Sequence, residues 1–143
     1  MAIKINIINT SRYKRIFRKK IKAIVGAIFS DFGYTNAQLS LIIVDNKEIK
    51  KINKKFLNHN YPTDVICFSL ADDEKEIDGE AYISIEIAIK QAKEYNVSLR
   101  DELMRYAAHS ALHLCGLNDA TYDERKNMND TESKYIKIIN HSL

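Results

Sequence analysis

His109, His113 and Asp119 are the residues of this sequence whose types and spacing carry chemistry. They lie within Ala107-Ala-His-Ser-Ala-Leu-His-Leu-Cys-Gly-Leu-Asn-Asp119. Two histidines four apart on a helix share a face, with β-carbons roughly 5–6 Å apart. That suits two imidazoles converging on one ion of the zinc type. Gly116 follows where a helix would end in the left-handed conformation that glycine adopts without steric cost. The chain can then turn back, and Asp119 can supply an oxygen ligand. Three protein ligands and one open position is the layout of a catalytic zinc site. A zinc peptidase would carry glutamate directly after the first histidine as general base. Ser110 stands there instead, so a peptidase of that type would lack its base.

The surroundings of these residues limit what the site can act on. The chain has 143 residues with ordinary apolar and charged fractions, which predicts a single domain over 1–143. No run of about 18 apolar residues suggests a membrane span. The first residues alternate apolar with polar and lack the apolar centre of a secretory leader. A cytoplasmic location is expected, with Cys67 and Cys115 as buried free thiols. The formal net charge is +3, but residues 1–60 hold 13 Lys/Arg against 3 Asp/Glu, and the remainder 9 against 16. Such asymmetry points to a polyanionic partner. The cations cluster at Arg12, Lys14, Arg15, Arg18, Lys19, Lys20 and Lys22, and again at Lys47, Lys50, Lys51, Lys54 and Lys55. Both clusters fall on predicted helices, which would present them to a phosphate backbone.

The elements that must position the site follow from periodicity and capping. Alternation through Ile3, Ile5 and Ile7 predicts a strand. Asn9-Thr10-Ser11 predicts a helix starting near Arg12 and ending at Asp31-Phe-Gly33. Gln38–Val44 is a second strand, buried on both faces along Leu41–Val44. Asp45 caps a short helix from Asn46 to about Phe56. Thr63–Leu70 and Gly79–Ile85 are two further strands, most simply an antiparallel hairpin. Three helices follow. Ile87, Ala88, Ala92 and Tyr95 mark the first. Ser98 caps the second, which carries His109 and His113 and runs to Cys115. Thr121 and Glu124 form a capping box that opens the last. The order β-α-β-α-β-β-α-α-α describes an α+β fold, a single small mixed four-stranded sheet with packed helices.

These segments resemble the YbeY endoribonucleases, the bacterial rRNA maturation factors. The family signature His-Gly-x-Leu-His-Leu-x-Gly-x-Asp-His is matched at His109, Leu112, His113, Leu114 and Gly116. A second block, an Asn-x-x-x-Arg segment leading into Thr-Asp-Val-Leu-Ser-Phe-Pro, resembles Asn53 and Thr63-Asp-Val-Ile-Cys-Phe-Ser69. A third resembles Gly79-Glu-Ala-Tyr-Ile-Ser84. Glu102, Met128 and Glu132 also fall where the family has them, so the likeness spans about Leu39 to Glu132. It implies a zinc-dependent, single-strand-specific endoribonuclease. The implied substrate is ribosomal RNA on the small ribosomal subunit, in 3′-end maturation and ribosome quality control. Phosphate-backbone contacts would come from Arg12, Arg15, Arg18, Lys19, Lys22, Lys50, Lys51, Lys54 and Lys55.

Two departures distinguish this chain. The family's third histidine falls on Asp119, giving a His-His-Asp set for one Zn2+ whose extra negative charge leaves a bound water less acidic. The family's active-site arginine falls on Leu57. His59, two residues on, and Asp64, at a strand start, are the candidate catalytic or orienting groups. Asp64 is read equally as a strand-end cap. Glu102 and Arg105, two turns and one turn before His109, are read as a surface ion pair. Tyr61 and Phe56 flank the loop as stacking or packing aromatics. The alternative function is a non-catalytic RNA-binding assembly factor with a structural metal.

Overall fold

The computed structural model describes residues 2–57, 64–73 and 76–142, without the side chains of Phe56 and Leu57. Its elements are β1 (Ile3–Asn9), α1 (Arg18–Asp31), β2 (Ala37–Val44), α2 (Asn46–Leu57), β3 (Val65–Ser69), β4 (Ile77–Ser84), α3 (Ile85–Glu94), α4 (Leu99–Leu114) and α5 (Tyr122–His141). The expected order and the mixed four-stranded sheet are therefore both present. The sheet runs β1-β2-β4-β3. β2 pairs in parallel with β1 and β4, and β3 pairs antiparallel with β4. That last pairing is the hairpin expected from the sequence.

Each sheet face is covered differently. Leu39, Leu41, Ile43, Ala81 and Ile83 are fully buried and share one core with apolar residues of α1, α3, α4 and α5. A smaller cluster joins Ile49 and Ile52 of α2 to Val44 and Ile66, flanked by Ile42, Phe68 and Tyr82. The alternation of strand side chains explains the split, because adjacent residues point to opposite faces. Each fully buried aliphatic side chain contributes about 1.5–3 kcal/mol. Among the described residues no helix is long and apolar enough to cross a membrane.

The first helix begins at Arg18, six residues later than Asn9-Thr10-Ser11 predicted. The capping side chains satisfy one another instead. Asn9 Oδ1 accepts from the Ser11 amide at 3.0 Å and the Ser11 hydroxyl at 2.6 Å, and Ser11 Oγ accepts from the Tyr13 amide at 3.2 Å. Such local bonds compete with helix formation. The chain enters α1 only through Phe17, in the left-handed region at φ 60. Arg12, Lys14 and Arg15 thus lie on an irregular segment before the helix.

β4 and the end of α4 approach closely at Gly79. A Cβ there would meet Leu114 Cδ1 at 2.6 Å and the Phe68 carbonyl oxygen at 3.2 Å. Leu114 directly follows His113, so this contact sets how the histidine-bearing helix sits on the sheet. The leucine tip can swing aside, but the backbone oxygen cannot. Gly79→Ala is expected to cost about 1–3 kcal/mol, the usual range for overpacking, as measured by urea unfolding. A variant as stable as the parent would show that α4 has slack against β4.

Candidate active site

α4 places the site. Ser98 caps it by accepting from the Asp101 amide at 3.0 Å, with Asp101 and Glu102 in the first turn. Leu103, Met104, Ala107, Ala108, Ala111 and Leu112 are buried within the core. Glu102, Arg105, Tyr106 and His109 instead line a cavity of about 610 Å³. The helix ends in a Schellman motif. The Leu117 amide donates to the Leu112 carbonyl at 3.0 Å and the Gly116 amide to His113 at 3.0 Å, with Gly116 at φ 103. Only glycine takes that conformation without a Cβ penalty. The reversal returns the chain toward α4, and Asp119 Oδ2 lies 3.4 Å from His109 Nε2.

The other nitrogen of His109 is held as well. Its Nδ1–H donates to Glu132 Oε2 at 2.9 Å. Glu132, on α5, is only 5% exposed. Its other oxygen, Oε1, accepts from the Arg105 guanidinium at 3.0 Å. Arg105 donates further to Asn129 Oδ1 and Ser133 Oγ, both at 2.9 Å. It is thus bound to α5 rather than paired with Glu102. The Glu132 hydrogen bond is the main cause of a raised His109 pKa, opposed by desolvation and assisted by the charges of Glu132, Asp119 and Asp64.

The donor set fits a metal ion in part. Two ligand atoms on a tetrahedral ion with bonds of about 2.0–2.1 Å stand about 3.4 Å apart, which is the His109–Asp119 separation. A histidine ligand also commonly gives its second N–H to a carboxylate, as His109 does to Glu132. His113, however, is exposed and does not line the cavity. Among the described residues no group of three His, Cys, Asp or Glu side chains is gathered closely enough to hold an ion. The helical spacing put both histidines on one face, but only the first has Asp119 and Glu132 beside it.

Asp64 lines the cavity and also accepts from the Val65 amide at 2.8 Å. His59 and Tyr61 lie outside the described residues, as do the side chains of Phe56 and Leu57. Ser110 is fully buried, and its hydroxyl donates to the Tyr106 carbonyl at 3.0 Å. It is turned into the helix backbone and offers no base. Cys67 and Cys115 are free, and burial pushes their thiols up to about 11 and about 12. Neither lines the cavity that holds His109 and Asp119.

Glu132 was not derivable as a partner of His109 from local spacing, because it sits 23 residues away on another helix. Its role is checkable in the metal-free protein. Glu132→Gln removes the chief influence raising the His109 pKa, so the titration of His109 followed by NMR should shift downward. Asp119→Asn should shift it down by less. An unmoved His109 titration in Glu132→Gln would remove Glu132 from this role.

Known proteins share this arrangement of sequence and fold. The family described as endoribonuclease YbeY matches residues 3–140. Endoribonuclease YbeY of Chlorobium phaeobacteroides is 38% identical over 137 residues, covering 96% of this chain and 95% of the relative. That of Elusimicrobium minutum is 38% identical over 141 residues, covering 94% and 99%. A Thermotoga maritima protein solved in solution superposes with a TM-score of 0.72 at 26% identity, covering 94% of this chain and 88% of that one. With a match along nearly its whole length, this chain belongs to the endoribonuclease YbeY family.

Proposed function

We propose that the chain hydrolyses phosphodiester bonds of single-stranded RNA, with one zinc ion held by His109, His113 and Asp119. The observation that carries the reading is His109 held between Asp119 at 3.4 Å and Glu132 at 2.9 Å, in a chain whose relatives are named endoribonucleases. When bound, the ion would supply Lewis acidity toward a phosphoryl oxygen and a water activated at neutral pH. Glu132 keeps the proton on Nδ1 and leaves the Nε2 lone pair facing Asp119. Arg105 neutralises and fixes Glu132. Its guanidinium is committed to three α5 residues and is not a free clamp for phosphate.

The finer assignment follows the family. We take the substrate to be ribosomal RNA of the small subunit, processed at its 3′ end in the cytoplasm. Arg12, Arg15, Lys19 and Lys22, all exposed, and the exposed Lys50, Lys51, Lys54 and Lys55 would hold the backbone. Binding should then weaken steeply with salt. The non-catalytic alternative rests on Leu57, which the family resemblance sets at the arginine position.

Two measurements test the proposal. Asp119→Ala should lower zinc content by elemental analysis, whereas Asp123→Ala should not. Equal retention would take Asp119 out of the ligand set. His113→Ala should reduce cleavage of single-stranded RNA by more than about 100-fold, beyond the 10–100-fold typical when an outer partner of a metal ligand is lost. Equal cutting by parent and variant would trace the activity to a contaminant and leave the binding-factor reading.

A further inference from the structure

Tyr95 and Val97 are large apolar side chains left in solvent, 64% and 44% exposed. Both line the cavity that holds His109 and Asp119. The other exposed large apolar residues among those described, Ile8, Phe32, Leu70, Tyr122 and Ile138, do not line it. Tyr95 and Val97 flank Asn96, which turns the chain between α3 and α4 at φ 55. That turn is fixed by the Val97 amide donating to the Ala92 carbonyl at 2.9 Å and the Tyr95 amide to Gln91 at 2.9 Å. The apolar rim is therefore preplaced on ordered backbone.

The deeper wall is polar and short of positive charge. The Tyr106 hydroxyl donates to Gln91 Oε1, which turns the Gln91 NH2 away from the phenol. Tyr106 also lies 3.4 Å from Glu102 Oε2, and Glu102 is 2% exposed. Asp64, Glu102, Asp119 and Glu132 face the cavity, with Arg105 as the cation lining it among the described residues. Beside Asp64 and Glu102, away from the His109–Asp119 pair, a phosphate would be repelled. A neutral planar ring with N–H donors and ring acceptors would be accommodated, its face on Tyr95 and its edge toward Gln91 and Glu102.

We infer that this end of the cavity is a subsite for one unpaired nucleobase of the RNA, next to the phosphodiester at His109 and Asp119. The inference rests on the nuclease reading and deepens it. A base within a duplex has both its face and its pairing edge occupied, so the subsite gives single-strand preference a physical cause. Stacking on an aromatic side chain tolerates any base sequence. The subsite therefore selects the unpaired state more than base identity.

The test uses full-length protein, metal-free and zinc-loaded, with a short single-stranded RNA carrying 2-aminopurine at each position in turn. Anisotropy gives affinity, and quenching of the fluorescent base reports stacking. Quenching is expected at one position in the bound RNA. Tyr95→Ala should abolish it and weaken binding about 5- to 100-fold, the range for losing one base–aromatic stack. Tyr95→Phe should retain both signals. An abasic nucleotide at that position should weaken the parent equally and add nothing to Tyr95→Ala, as coupled partners require. Unchanged affinity in Tyr95→Ala with no quenched position overturns the subsite and leaves the nuclease reading standing. Loss in Tyr95→Phe equal to that in Tyr95→Ala overturns stacking. Failure of the parent to bind RNA in either form overturns both the subsite and the nuclease reading.

Discussion

A buried carboxylate organises the site. Glu132 sits inside a helix otherwise rich in exposed polar residues, yet it is 5% exposed. Burying an ionised group without partners is costly. Glu132 avoids that cost by giving one oxygen to Arg105 and the other to His109. Both partners lie on α4, one turn apart, so the pairing sets the position of α5 along α4 as well as the plane of the His109 ring. With Nδ1 committed, Nε2 has one direction left, and the Gly116 reversal brings Asp119 to it. The geometry around His109 thus follows from satisfying one charge.

The parts of this arrangement legible in the sequence are the local ones. Ser98 and the Thr121–Glu124 box start α4 and α5 where their side chains predict, because a cap contacts amides only two or three residues ahead. Alternation through β1 survives because the strand faces two different environments, and along Leu41–Val44 of β2 all residues but the half-buried Ile42 are buried, as a run covered on both faces requires. The start of α1 departs from the capping pattern because Asn9 and Ser11 bond each other, a competition that composition cannot arbitrate. Helical spacing pairs Arg105 with Glu102, but a long side chain turns to whichever carboxylate the packing brings, and α5 brings Glu132. The same limit applies to the histidines. Spacing aligns His109 and His113 on one face, while the approach of α5 and the returning loop gives Asp119 and Glu132 to His109 and leaves His113 in solvent.

Charge is distributed with the same dependence on packing. In sequence, the basic half reads as one polyanion-binding region. In the fold, α1 packs on the face shared with α4 and α5, and α2 packs on the opposite face. Arg18 and Lys20 are also partly used internally. Arg18 donates to the Ile7 carbonyl at 2.6 Å and Lys20 to the Ile139 carbonyl at 3.2 Å. The positive groups therefore divide between two outer surfaces, while the charged side chains lining the cavity among the described residues are mostly carboxylates. Coulombic attraction would gather the proposed RNA strand at the outside, but it would oppose drawing phosphates toward Asp64 and Glu102. These walls favour a cation, which the His109–Asp119 pair suits, or an uncharged part of the proposed strand, and would accept a phosphate only beside a bound ion. For the RNA substrate proposed, separating the groups that attract the backbone from the groups around His109 would make entry depend on local strand conformation, since a nucleotide would have to leave its stack to bridge the two.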